Sequence, residues 1–270
     1  MRHIRFLSIV RLFSMIRRRF LLQLPLVVNA LVFLFLPIVC LGNPAISQRG
    51  ARSEVIYIDA GHGGKDQGTS GKNPFYEEKQ LTLSLAVATQ NYLRRMGYRP
   101  IMTRTSDVFV DLYRRASLAN SGRADVFVSI HCNHSSNTAA YGTEVYFYNG
   151  KGASATRVRQ SEELGKQIMQ AMERSGSLKS RAVKVGNFAV IRETTMPAVL
   201  VETGFLSNPK ERGCLLDGRY RMRLAKGIAE GIHAYLGMRG NKKVSLEKPA
   251  TKSAATSLGG GKVVTKTTKR

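Results

Sequence analysis

The sequence predicts an α/β domain: one mixed, mostly parallel sheet covered by helices on both faces. Three observations lead there. Short apolar runs alternate with segments of helical period along residues 54–238. One run, ADVFVSIH (124–131), is almost continuously apolar, as expected of a central strand buried on both sides. That body is about 185 residues long, enough for one core without disulfide staples.

The elements follow in order. EVIYI (54–58) reads as a strand ending in the glycine-rich DAGHGGKDQGTSGKNP. A helix is predicted from about Glu78 to Met96, with Leu81, Leu85, Ala88 and Tyr92 at helical spacing and Gly97 placed to cap it. RPIMT (99–103) is the next strand, and DLYRRASLANSG a helix from Asp111 stopped near Gly122. After 124–131, GTEVYFY (142–148) alternates like a strand nearer an edge. A helix spans about Arg157–Arg174, with Leu164, Ile168 and Met172 on one face. NFAVI (187–191) and PAVLVETGF (197–205) read as strands, and LDGRYRMRLAKGIAEGIHAYLG as one closing helix ending at Gly237.

The chain carries 42 Lys+Arg against 18 Asp+Glu, a net of +24. Six arginines and no acid lie in residues 1–19, and nine basic residues with only Glu247 lie in 239–270. The body keeps +10 of the excess, which argues against a nucleic-acid partner. Residues 1–42 combine a basic start, an apolar run and small residues near Gly42. They read as a cleaved secretory signal or a retained inner-membrane anchor. Pro25, Asn29 and Pro37 favour the signal. Either way the body is exported to the periplasm or cell envelope. Residues 43–53 form a linker, and 239–270 read as a disordered basic tail. Cys132 and Cys214 are expected as free, buried thiols, although a single disulfide is compatible with the sequence.

In open α/β sheets, sites form beyond the carboxyl ends of the strands. That filter selects His62 after the first strand, His131 with Asn133 and His134 after the central one, Glu202 on the late strand, and Glu77 and Glu78 at the first helix start. Any one of these alone reads more simply as a loop or capping residue; their convergence on one sheet edge points to a metal site. Two imidazoles and a carboxylate make a zinc shell that leaves a position for water. Glu78 lies three and seven residues before Leu81 and Leu85, on their sheet-facing side, whereas Glu77 is rotated about 100° away. The predicted ligands are therefore His62, Glu78 and His131 around one zinc ion, with Glu202 as the non-ligand base. Asp59 is expected to support the loop, His134 to lie beside the site or face substrate, and His233 to be structural.

The motifs VIYIDAGHGGKDQGTSG, EEKQLTLSLA, ADVFVSIHCN, GTEVYFY, NFAVIRETTMPAVLVETGFLSNPKE and IAEGI, in this order and spacing, closely resemble the zinc-dependent N-acetylmuramoyl-L-alanine amidases of the third amidase family. The resemblance runs from about Val55 to Leu236. It implies a mostly parallel sheet between helices, zinc ligands at His62, Glu78 and His131, and a catalytic glutamate at Glu202. The implied reaction is hydrolysis of the amide between N-acetylmuramic acid and L-alanine in peptidoglycan. Asn133 and Arg192 are carried over as substrate contacts. Cys132 and His134 stand where small residues are common in the family, but strand alternation points Cys132 away from His131. The short segment between GTEVYFY and NFAVI leaves no room for the inhibitory helix of some relatives, so a site open without an activator protein is expected; the protein is also expected to be a monomer. The rival readings are a non-catalytic peptidoglycan-binding protein on the same fold and a zinc peptidase cutting within the stem peptide.

Overall fold

The computed structural model describes residues 52–247. The expected signal or anchor, most of the linker, and the tail beyond Glu247 lie outside the described residues.

The described chain runs β1 (Val55–Ala60), β2 (Ser70–Lys72), β3 (Phe75–Glu77), α1 (Glu78–Arg95), β4 (Arg99–Met102), α2 (Leu112–Ser121), β5 (Val126–Asn133), β6 (Thr143–Phe147), α3 (Ala155–Arg174), β7 (Ser180–Val185), α4 (Ala189–Arg192), β8 (Ala198–Phe205), α5 (Pro209–Leu216) and α6 (Gly218–Glu247). Six strands form one sheet in the order β4-β1-β5-β8-β6-β7, and β2-β3 form a small hairpin. Strands β4, β1, β5 and β8 pair in parallel, β6 pairs antiparallel with β8, and β7 lies parallel to β6. The mixed, mostly parallel sheet is as predicted.

Alternation along the strands sorts the side chains. Ile56, Ile58, Val126, Val128, Ile130, Val145, Val199 and Val201 face α1, α3 and α6, burying Leu85, Leu164, Ile168, Met172, Leu224, Ile228 and Ile232. The other face is covered less completely. There Tyr57, Phe127, Ala198 and Leu200 pack under Ala119 of α2 and Val190 and Ile191 of α4. Those helices cover the lower half of the strands, and the upper half of that face carries the polar residues described below.

Two expectations are corrected, and strand β7 and helix α5 stand where the sequence predicts no element. NFAVI is not a strand: Ala189–Arg192 is a single helical turn, and the buried Arg157 guanidinium on α3 donates to the carbonyls of Ile191 and Met196 around it. A five-residue apolar run is too short for periodicity to separate helix from strand. In the segment between GTEVYFY and NFAVI, Ser180–Val185 forms the edge strand β7, whose Arg181 and Lys184 give it a solvated look in the sequence. Helix α5, capped by Asn208, is a separate element ahead of the closing helix; Asp217 after it is extended, and the closing helix α6 starts at Gly218. It also does not stop at Gly237 but continues to Glu247, inside the predicted tail, since a helical glycine costs only about 1 kcal/mol and no proline occurs before Pro249.

The helical face depends on a close crossing of α3 and α6. A Cβ on Gly231 would stand 2.4 Å from the Ile168 Cα, and one on Gly227 2.6 Å from the Met172 Cα. Both obstacles are backbone, so no rotamer change relieves them. Gly231→Val is expected to destabilise the domain by about 1–3 kcal/mol in urea denaturation. A midpoint equal to that of the unsubstituted protein would show that the helices are not in this contact.

Candidate metal centre and active site

The centre begins where β1 ends. His62 has φ 59, in the left-handed region that a non-glycine residue rarely adopts. Two buried guanidinium groups hold the loop there. Arg104 donates to the carbonyls of Ala60 (2.9 Å) and Gly61 (2.8 Å), and Arg115 to that of His62 (2.7 Å). Arg115 also pairs with the fully buried Asp59 at 2.9 Å. Burial pushes the Asp59 carboxyl up, but Arg115, Thr103 and Ser129 outweigh it and hold the pKa below the ordinary value. Asp59 therefore supports the loop, as expected, through Arg115.

With the loop pinned, the His62 ring is oriented from both sides. Its Nδ1 meets Asp66 Oδ2 at 2.9 Å and its Nε2 meets Glu78 Oε1 at 3.0 Å. His131, at the upper end of β5, brings Nδ1 to 3.2 Å from the same Glu78 oxygen. The two rings are edge-on, 4.8 Å apart. Glu78 stands in the first turn of α1, where the β2-β3 hairpin delivers it; its oxygens accept the backbone N–H groups of Thr69 (2.9 Å) and Cys132 (3.0 Å). Burial pushes its carboxyl up, yet His131 and His62 outweigh this and hold it well below the usual range.

One donor atom from each of His62, Glu78 and His131 lies within 4.8 Å of the others, so the cluster could hold a metal ion. The surroundings are cut to its shape. A Cβ on Gly61 would sit 2.3–2.6 Å from three atoms of the His131 ring, and one on Gly68 (φ +62) 2.7 Å from both Glu78 Oε2 and His62 Cδ2. Glu77, by contrast, points to Lys79 at 3.7 Å, in agreement with the helical phase.

Glu202 sits on β8 directly beside His131 on β5. It is buried, and its Oε2 has no hydrogen-bond partner among the described residues. Burial, with Glu78 and Glu144 nearby, pushes its carboxyl well above the ordinary value. The His62–Glu78–His131 cluster thus adjoins a buried carboxyl oxygen that has no hydrogen-bond partner among the described residues.

The remaining candidates divide. Asn133 donates to Glu144 Oε2 at 3.0 Å, on the same face as Glu202. Arg192 ends α4, half-buried, with its guanidinium bonded to Glu193 and Asn187 rather than to any member of the cluster. His134 is exposed, and His233 meets Tyr98 Oη at 2.9 Å, far along the chain from the centre. Cys132 points to the opposite face, against Thr203 Oγ1. Both thiols are free, but only Cys132 is fully buried, Cys214 being half-buried.

Asp66, Arg104, Arg115 and Glu144 complete the centre and were missed in the sequence. Asp66 carried a signal, a carboxylate four residues after a candidate ligand in a glycine loop. Glu144 carried another, being an acid inside an apolar alternating strand. The two arginines carried none, because an arginine in a loop or helix reads as solvated.

Comparison with known proteins places the chain in a family and agrees with its fold. A family profile described as N-acetylmuramoyl-L-alanine amidase matches residues 56–234. The chain is 35% identical over 225 residues to the N-acetylmuramoyl-L-alanine amidase AmiC of Neisseria meningitidis, covering 70% of this chain and 54% of that protein, about half its length. It is 37% identical over 209 residues to the amidase CwlM of Bacillus licheniformis, covering 75% and 78%. Among solved structures, an N-acetylmuramoyl-L-alanine amidase from Clostridium difficile 630 matches with TM-score 0.64 and 35% identity, over 69% of this chain and 98% of that one. The catalytic domain of CwlV from Bacillus (Paenibacillus) polymyxa matches with TM-score 0.60 and 40% identity, over 68% and 98%. With its sheet, its His-Glu-His cluster and the adjoining buried glutamate, the chain belongs to the N-acetylmuramoyl-L-alanine amidase family.

Proposed function

We propose that this chain is an exported, zinc-dependent hydrolase that cleaves the amide between N-acetylmuramic acid and the L-alanine of the peptidoglycan stem peptide. The observation that carries the reading is the convergence of His62, Glu78 and His131 beside the partnerless Oε2 of Glu202. The donor set fits zinc, since two imidazoles and one carboxylate leave a fourth position open. Zinc bound there supplies Lewis acidity toward the scissile carbonyl and makes an attacking water more acidic.

The protein residues do the rest. Asp66 accepts the His62 Nδ1–H, which selects the tautomer whose Nε2 lone pair faces Glu78 and the ligand position. Glu202 accepts the proton of the attacking water at Oε2 as the new C–O bond forms. It returns that proton to the alanine nitrogen as the C–N bond breaks, leaving a free amine on the stem peptide. Its buried setting raises its proton affinity toward the range such a shuttle needs.

The enzyme is proposed to act as a monomer without an activator protein, in the periplasm or cell envelope. The absence of an activator is supported by helix α3, which packs against α6 on the face of the sheet opposite the centre and so does not lie over it.

Digestion of purified peptidoglycan is expected to release stem peptides with a free L-alanine amine and leave peptide-free glycan. Cuts found only between stem residues would instead establish the peptidase, and binding without products the non-catalytic reading. Glu202→Gln is expected to lower kcat by about 100- to 10,000-fold while zinc content by elemental analysis stays at one per chain. Undiminished turnover would remove Glu202 from the mechanism. Asp66→Ala should weaken zinc binding by about 10- to 100-fold in a chelator competition assay; an unchanged affinity would show that His62 does not need this partner.

A further inference from the structure

The basic edge of the sheet beside Glu202 has no part in the chemistry above. In the antiparallel pairing of β6 with β8, Glu144 stands directly opposite Glu202. Opposed residues on one face of such a pair have Cβ atoms about 4.5–5.5 Å apart. Glu144 is 3% exposed, and four donors surround its carboxylate. Oε1 receives Arg181 Nε and Lys184 Nζ, both at 2.8 Å, and Oε2 receives the Tyr146 hydroxyl (2.7 Å) and Asn133 Nδ2 (3.0 Å). Burial pushes this carboxyl up, but Lys184, Tyr146 and Arg181 outweigh it, so it stays ionised.

Two cations therefore meet one buried acid, and the group keeps a net charge of +1. Neutralising Glu144 needs only one of them. Their placement is also particular. Lys184 pairs with Tyr146 in the β6-β7 register, which puts it on the Glu144 face. Arg181 would alternate to the opposite face, but the register shifts there: Thr143 pairs with Ser180 and Glu144 with Ala182, leaving Arg181 as an extra residue. Such an irregularity re-aims a side chain, and here it turns the guanidinium onto the site face. Both side chains remain partly open to solvent, 35% for Arg181 and 41% for Lys184. Beyond Glu144, Arg181 spends one terminal nitrogen on the Tyr141 carbonyl, and its other makes no hydrogen bond among the described residues.

We infer that Arg181 and Lys184, positioned by Glu144, form a subsite for a free carboxylate on the second residue of the stem peptide. The inference rests on the amidase reading, which places the scissile bond at Glu202. The residue after L-alanine is a γ-linked glutamate whose α-carboxyl is either free or amidated. It lies one residue from the scissile amide, about 3.5 Å further along an extended chain. Strand β7 is two strand spacings, about 10 Å, from β8. A lysine side chain reaching back across β6 covers that gap. The two cations also offset the repulsion that Glu144 and Glu202 would otherwise present to an anionic peptide. Lysine and arginine on an edge strand can serve simply to deter edge-to-edge pairing, but that role does not require them to converge on a buried acid.

The test compares two synthetic muramyl peptides that differ only in a free or amidated α-carboxyl on that glutamate, using the zinc-loaded full chain. The unsubstituted enzyme is expected to show a KM about tenfold lower for the free acid, the worth of one charge-assisted hydrogen bond. Lys184→Met and Arg181→Met should each bring the ratio of KM values toward one, and Lys184→Arg should keep most of it. A purely structural role would impair both substrates alike and leave the ratio intact, which overturns the subsite. Equal KM values in the unsubstituted enzyme also overturn it, while the amidase reading stands. Calorimetric binding of L-Ala-D-Glu and its α-amide to the same proteins reads the subsite without turnover. Discrimination there with neither muramyl peptide cleaved would support the subsite and sink the amidase reading instead.

Discussion

The centre depends first on two guanidinium groups buried under one loop. A strand that ends in Asp59-Ala60-Gly61-His62 turns three carbonyls away from the ladder, and Arg104 and Arg115 take them up. Burying two cations costs several kcal/mol each unless partners are close, and the Asp59 carboxylate and these carbonyls are those partners. In return, His62 is held in a backbone conformation it would not choose alone. Its ring is thereby aimed at Glu78 while its other nitrogen is left to Asp66.

The second constraint is the unequal covering of the sheet. Long helices fill one face, where Gly227 and Gly231 let α6 lie on α3. On the other face α2 and the single turn of α4 stop short, so the upper ends of β5, β8 and β6 stay open to carry His131, Glu202 and Glu144. Reversal of β6 and β7 relative to the parallel strands matters here. It puts Glu144 opposite Glu202 on the site face and brings the basic edge of β7 alongside. A wholly parallel sheet would have placed different residues at that height.

Much of this was legible in advance, for identifiable reasons. The strand ends named His62, His131 and Glu202 because short apolar runs mark the strands well, and sites gather beyond their carboxyl ends. Helical phase separated Glu78 from Glu77 because α1 is long enough for a 3.6-residue period to be unambiguous. Where the signal was short, it failed. NFAVI is five residues, and β7 alternates apolar residues with cations that read as solvated. Gly237 looked like a helix end, but nothing packs near it to enforce one.

The sequence by itself determined the fold class, the family and the set of residues that gather at the centre, His62, Glu78 and His131 with Glu202 beside them, because each rests on local periodicity or on motif spacing along the chain. Only the tertiary structure decided which buried partners make those residues work. Arg104 and Arg115 lie more than forty residues from the carbonyls they hold, and Glu144 meets Arg181 and Lys184 across 37 and 40 residues. Such pairings leave no periodic trace. They are set by strand register, by the reversal of β6 and by one shift in the β6-β7 ladder, and these exist only once the sheet has formed.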